Sequence, residues 1–196
     1  MGVKERKQRE KAAMQRLILE TANSLFEKKG IEHVSIRNIA NAIEYSPATI
    51  YLYFKDKREI IFDLTDIFAE EFETKLKEFD FIKDHFSRLK KISQSWLQYA
   101  INNPDKYQMI FQANGQLHEN NLYRYLDESV MDCIHANQLQ RLPVSEASSI
   151  IVSFLHGMSI LAIGKKFSIR SKAELTDNLS DLVIRFLNNM KGYSMA

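Results

Sequence analysis

One cysteine, three prolines and six glycines are spread over 196 residues, and each scarcity closes off a class of protein. A lone thiol, Cys133, cannot form a disulfide within the chain, so a disulfide-stapled scaffold is excluded and a reducing compartment is expected. Strand-rich sandwiches and barrels need turn residues every few positions, and this chain has too few to supply them. No run of 18 consecutive apolar residues is present, so no membrane-spanning helix is expected. The basic N-terminus has no apolar stretch before Leu17 and does not read as a secretory signal. These absences predict a cytoplasmic protein without membrane contact. The patterns HExxH, CxxC, GxSxG and the P-loop are also missing, which removes the commonest hydrolase, redox and nucleotide-binding sites.

What is present is ordinary in amount and uneven in placement. Hydrophobic residues make up 45% and charged residues 27%, as in a typical globular chain. The net charge is only +2, yet residues 1–60 hold 12 Lys+Arg against 8 Asp+Glu, and the remainder holds 15 against 17. The first 16 residues carry Lys4, Arg6, Lys7, Arg9, Lys11 and Arg16 against Glu5 and Glu10. A basic arm beside a small domain suits a phosphate backbone, and it equally suits a solvated, frayed terminus.

Apolar residues at helical spacing predict an all-α chain. The first helix runs from about Glu5 or Glu10 to Lys29, with Ile18, Ala22, Leu25 and Phe26 on its apolar face and Gly30 as its stop. Ser35 caps a short second helix holding Ile36, Ile39, Ala40 and Ile43. After a break at Glu44-Tyr45, Ser46 and Pro47 open a third helix that is very short, ending at Tyr53 or Phe54. Asp56 and Glu59 make a capping-box pair at the head of a long fourth helix carrying Ile60, Leu64, Ile67, Phe68, Phe72, Leu76 and Phe79. Further helices are predicted over 84–102, 105–111, 118–139, 144–163 and 172–190, with stops at Asn103-Pro104, Gly115 and Gly164 and a polar loop around Ser168 to Ser171. Three helices in about 50 residues, two of them short and joined by a tight turn, match a helix-turn-helix. The expected organisation is a DNA-binding domain over 1–60 with its basic arm, then a helical domain over 61–196.

The ordered residues Arg16-x-Ile18-Leu19-x-x-Ala22-x-x-Leu25-Phe26, Gly30, Ser35-Ile36-x-x-Ile39-Ala40 and Ser46-x-Ala48-Thr49-Ile50-Tyr51-x-Tyr53-Phe54-x-x-Lys57-x-x-Ile60 resemble the DNA-binding domain of TetR-family (tetracycline repressor) regulators. Trp96-Leu97-Gln98-Tyr99, Asn103-Pro104-x-x-Tyr107-x-x-Ile110-Phe111 and Phe154-Leu155-His156-Gly157-Met158 more loosely resemble one group of the family's ligand-binding domains. The family usually places Gly in the turn between the two short helices, where the chain is left-handed; here that position is Glu44, at a cost of roughly 1–2 kcal/mol.

The resemblance implies that the third helix enters the major groove. Pro47 and Ala48 would meet thymine methyl groups, Thr49 a base edge or phosphate, and the Tyr51 and Tyr53 hydroxyls phosphates. Lys57 would pair with a phosphate, as would Ser35 and Arg37 at the start of the second helix, with Ser46 as cap; Ile50 and Phe54 would fill the small core. Taken singly, the tyrosines fit a hydrophobic mini-core as well, and Lys57 a solvated surface. The ordered set favours double-stranded DNA.

The resemblance further implies a homodimer, most simply a repressor on a palindromic operator, with half-sites about one helical turn (roughly 34–36 Å) or a multiple apart. It would be released by a small hydrophobic or aromatic effector and be nucleoid-associated in a bacterial cytoplasm when bound. Trp96, Tyr99, Tyr107, Phe111, Tyr123, Phe154, His156 and Met158 are the candidate ligand contacts, although aromatics at helical spacing are also ordinary core. Helices 144–163 and 172–190 carry enough apolar surface to pair with a second copy. No cofactor or metal is expected. The alternative is a small-molecule-binding helical bundle or a metal-dependent all-α enzyme, for which Glu128, Asp132 and His135, spaced i, i+4 and i+7, are the best candidates.

Overall fold

The computed structural model describes residues 2–112, 121–166 and 171–191, without the side chains of Val3 and Gln112. Its helices are α1 (Val3–Lys29), α2 (Ile36–Ala42), α3 (Pro47–Tyr51), α4 (Lys57–Lys77), α5 (His85–Asn102), α6 (Pro104–Gln112), α7 (Asn121–His135), α8 (Val144–Ile163) and α9 (Lys172–Asn189), with a 3-10 turn at Ile31–His33. No strand occurs among the described residues, and the fold is all-α. The expected stop at Gly115, helix start at His118 and polar residue Ser168 lie outside the described residues.

The three prolines all sit where a helix begins. Pro47 occupies the first turn of α3, Pro104 opens α6 and Pro143 is the N-cap residue of α8. A missing N–H costs nothing at those positions. Caps complete the starts. Ser35 Oγ accepts from Asn38 N at 3.2 Å, while Asn38 Oδ1 accepts from Ser35 N at 2.8 Å, closing a reciprocal box. Ser46 Oγ accepts from Thr49 N at 3.2 Å, Asp84 Oδ2 from Ser87 N at 2.8 Å, and Ser171 Oγ from Glu174 N at 3.2 Å. At α4, Asp56 Oδ1 accepts from Glu59 N at 3.0 Å, but the Glu59 carboxylate reaches the N–H of Lys55, one residue before the expected partner.

Three helices depart from expectation. α7 stops at His135 rather than Leu139, since Asn137 turns left-handed (φ 54°) and Gln138 N and Leu139 N both return to Cys133 O. α1 begins at Val3, so the basic arm is helical; residues 4–13 are exposed, and Arg6–Glu10 (3.0 Å) and Arg16–Glu20 (2.7 Å) pair along it. α3 ends at Tyr51, with Leu52 and Tyr53 in a following turn, because Tyr53 N and Phe54 N both bond Ile50 O (2.9 and 3.0 Å). Tyr53 therefore does not project from the helix as expected.

The chain divides into two compact units, Met1–Ile67 and Phe68–Ala196, and the division falls inside α4 rather than ahead of it. Buried Ile60 and Leu64 account for the first turns of α4 going with the first unit, alongside buried Ile18, Ala22, Phe26, Val34, Ile39, Ile50 and Phe54. In the second unit α5 is the central element, packing against α6, α7, α8 and α9. Its buried residues Phe86, Leu89, Ile92, Ser93, Trp96, Leu97, Tyr99 and Ala100 cover more of its circumference than a surface helix would bury. Cys133 on α7 is fully buried, and burial pushes its thiol up to about 12.

Among the described residues α8 is the one helix long and apolar enough to cross a membrane by composition, with a mean hydropathy of 1.5. The expectation of no such segment rested on counting consecutive apolar residues, and serines interrupt that count in α8. One face of α8 (Ala147, Ile151, Leu155, Ala162) is buried, while Ile150, Ile160 and Leu161 are exposed.

The turn from α2 to α3 contains the strained position. Glu44 has φ 60°, the left-handed region expected there, and the turn closes with Tyr45 N on Ala40 O (2.9 Å) and Glu44 N on Asn41 O (3.3 Å). This is a Schellman pair, the arrangement that favours glycine. Replacing Glu44 by Gly is expected to stabilise the first unit by about 0.5–1 kcal/mol, the left-handed penalty less the extra backbone freedom of glycine in the unfolded chain. Calorimetry should show its transition rise by roughly 2–8 °C; an unchanged or lower midpoint would mean that the turn carries no strain.

Candidate nucleic-acid interface and aromatic cluster

α3 has five residues, and only one of them, Ile50, is fully buried. Ile50 and Phe54 (1% exposed) pin the helix and its trailing turn to the core, as the sequence predicts. Their burial turns the other face outward: Ser46, Pro47, Ala48 and Tyr51 are exposed, Thr49 and Tyr53 half-buried. Tyr51 is 56% exposed, too much for a core role. Ser35 and Arg37 at the head of α2 are exposed too. The Ser46 hydroxyl has two local duties, capping Thr49 N and bonding Thr49 Oγ1 at 3.0 Å.

Lys57 differs from its expected setting. Its ammonium donates to the Ile31 carbonyl at 2.6 Å and is half-buried, tying the start of α4 to the 3-10 turn. Two N–H groups remain for another acceptor. Sequence reasoning missed two further residues on this unit: Tyr45 is 45% and Leu52 76% exposed. Both flank α3, and no motif or helical spacing marks them. The early end of α3 places Leu52 in a turn.

The second unit gathers some of the candidate ligand contacts and separates others. Trp96 and Tyr107 are fully buried. Around them Phe111 lies 4.5 Å from the Tyr107 ring, 4.9 Å from His156 and 6.1 Å from Tyr123 by ring centroids. Trp96 Nε1 donates to Tyr107 Oη at 3.0 Å, and Tyr107 Oη is 3.0 Å from His156 Nδ1. Burial raises the Tyr107 phenol well above its ordinary range and that of Tyr123 to about 12, and it lowers the His156 imidazole.

The other candidates sit elsewhere. Tyr99 stacks on Phe72 at 4.2 Å and donates to the Phe68 carbonyl at 3.4 Å. Phe154 stacks on Phe186 of α9 at 4.0 Å, and Met158 is half-buried on α8. Phe72 of α4 is the member the sequence reading missed: fully buried, it packs its ring 5.0 Å from Trp96 and 6.3 Å from Tyr107. Only its i+4 relation to Phe68 was visible beforehand, and that marks any core residue.

The acidic face considered for a metal is otherwise engaged. Asp132 bonds Arg88 and lies 3.6 Å from His85 Nδ1, and Glu128 faces Arg124 at 3.9 Å. No group of three metal-ligating side chains occurs among the described residues.

Residues 18–64 match the model of bacterial regulatory proteins of the tetR family. An HTH-type transcriptional regulator of Staphylococcus aureus (strain bovine RF122 / ET3-1) is 30% identical over 104 residues, covering 51% of this chain and 55% of that protein. The chain thus spans about half the length of the relatives it matches. Among solved structures, a TetR/AcrR-family regulator from Thermobifida fusca superposes with a TM-score of 0.68 at 17% identity, covering 92% of this chain and 98% of that one. The regulator FadR from Bacillus subtilis, solved in complex with stearoyl-CoA, gives 0.68 at 17%, covering 88% and 96%. At such identities the structural likeness shows the shared fold alone. Residues 18–64 are thus similar to bacterial regulatory proteins of the tetR family, and the chain shares its fold with the solved TetR/AcrR-family regulator.

Proposed function

We propose that this chain is a ligand-responsive, DNA-binding transcriptional regulator, most simply a repressor, that acts as a homodimer on a palindromic operator. The observation that carries the reading is α3: a helix capped at Ser46, anchored by Ile50 and showing Pro47, Ala48 and Tyr51 to the outside. Ser35, Arg37, Thr49, Tyr53 and the spare N–H groups of Lys57 are the accompanying contacts to base edges and phosphates. The basic helical arm adds a sequence-independent contribution.

α8 and α9 support the dimer. Ile150, Ile160 and Leu161 on α8 and Leu182 on α9 are each 40–44% exposed. Gly157 is exposed on the same helix, and a Cβ built there meets nothing within 4 Å. The chain's own packing therefore does not require glycine, although glycine costs an α-helix about 1 kcal/mol relative to alanine. Close approach of a second α8 supplies the missing reason.

The aromatic cluster of Trp96, Tyr107, Phe111, Tyr123 and His156 is the proposed effector site, with Tyr99, Phe154 and Met158 as outlying candidates. The FadR neighbour, solved with stearoyl-CoA, supports an apolar effector. Phe72 belongs to the ring cluster and to α4, which runs unbroken from the first unit. A ligand that binds one placement of α4 better than another would shift the population between them.

Replacing Tyr51 by Ala should weaken binding to the chain's own promoter DNA by about tenfold or more, with no change in thermal midpoint since the side chain is exposed. Fluorescence anisotropy at low salt measures the effect. If the wild-type chain binds neither promoter nor random DNA there, the regulator reading is wrong. Replacing both Ile150 and Leu161 by Asp should convert the dimer to monomer in sedimentation velocity while leaving the helical circular dichroism intact. A variant that stays dimeric would place the interface elsewhere.

A further inference from the structure

Trp96, Tyr107 and His156 form a chain whose donor and acceptor roles follow from chemistry. An indole N–H can only donate, so Tyr107 Oη accepts from Trp96 at 3.0 Å and has one proton to give. His156 Nδ1 lies 3.0 Å from the same oxygen. Ser159 also borders Tyr107, but its own hydroxyl donates to the Leu155 carbonyl at 2.8 Å. A phenol is a better donor than acceptor, and an imidazole lone pair is the strongest acceptor in reach. A proton on Nδ1 would instead point two N–H donors at one buried phenol oxygen. The phenolic proton therefore belongs to the Nδ1 bond, and the imidazole carries its own proton on Nε2, across the ring from Tyr107.

Two features say what that N–H faces. Phe111, Tyr123 and His156 are each half-buried above the fully buried Trp96 and Tyr107, so accessible surface remains on them. Among the described residues no hydrogen bond reaches Nε2, and it is not one of the buried unpartnered atoms. The cations adjacent in sequence are committed elsewhere. Lys106 pairs with Glu71 at 2.8 Å and lies over the Phe68 ring, and Arg124 faces Glu128.

We propose that the Trp96–Tyr107–His156 chain fixes His156 as its Nε2–H tautomer, making the Phe111–Tyr123–His156 surface a subsite for the uncharged carbonyl oxygen of an apolar or aromatic ligand. The subsite rests on the reading of the second unit as effector-binding. A carboxylate landing there would lose its hydration with no cation among the described neighbours to replace it. Burial keeps the imidazole neutral and reinforces the preference.

Two measurements on the full chain test this. Nitrogen-15 spectra of the labelled imidazole at pH 7 should show His156 protonated at Nε2 alone. Tyr107→Phe, which removes the donor, should shift it toward a mixture of tautomers. An Nδ1–H or doubly protonated ring in the wild type overturns the assignment.

Trp96 is the only tryptophan, so its emission reports occupancy of the cluster. Titration with decanamide and with decanoate should favour the amide by about tenfold or more, because the carboxylate loses hydration that no described cation replaces. His156→Ala should weaken decanamide binding by about tenfold, the worth of one net hydrogen bond, and His156→Gln, which keeps an N–H donor, should retain it. Equal or tighter binding of decanoate overturns the subsite while leaving the effector reading in place. Silence toward both probes, in emission and in thermal shift, overturns the subsite and the apolar-effector reading together; the tautomer spectrum is decided independently of either.

Discussion

A five-residue helix has no stability of its own, because closing the first hydrogen-bonded turn costs more backbone entropy than so few bonds return. The exposed face of α3 therefore depends on the burial of Ile50 and Phe54, two side chains spaced i and i+4. Everything around them serves to hold that anchor in one orientation. The left-handed Glu44 reverses the chain after α2, Ser46 and Pro47 start the next helix, and Tyr53 and Phe54 both return their N–H groups to the Ile50 carbonyl. With the apolar side fixed, the outward set of Pro47, Ala48 and Tyr51 follows from the 100° step of the helix.

Local signals made much of the first unit legible. Ser35, Ser46 and Asp56 each cap the helix that the sequence assigns to them, since a capping hydroxyl or carboxylate needs only the next three residues. The left-handed position at Glu44 was readable because the family resemblance marked where the turn must lie. Two things were not legible. The ammonium of Lys57 goes to Ile31 O across 26 residues of sequence, a tertiary contact that no window reveals. The true end of α3 depends on which carbonyl two competing N–H groups choose, and periodicity does not register that choice.

In the second unit composition alone could not separate ring from ring. Trp96, Tyr99, Phe111 and Phe154 all lie at helical spacing, yet they divide among a hydrogen-bonded cluster, a stack on Phe72 and a stack on Phe186. What distinguishes the cluster is its polar thread: a buried Tyr107 hydroxyl must be satisfied, and Trp96 and His156 both bond it. α8 shows the same ambiguity at the scale of a helix. Its apolar residues lie on both faces, and the chain buries one of them.

The buried thiol of Cys133 has a practical corollary. With its pKa held near 12 and no solvent access, it contributes almost no thiolate at neutral pH. An alkylating reagent would reach it only when α7 separates from its neighbours. The rate of single-site labelling then counts opening events of the second unit one molecule at a time, with no engineered reporter and no second sulfhydryl to confuse the count.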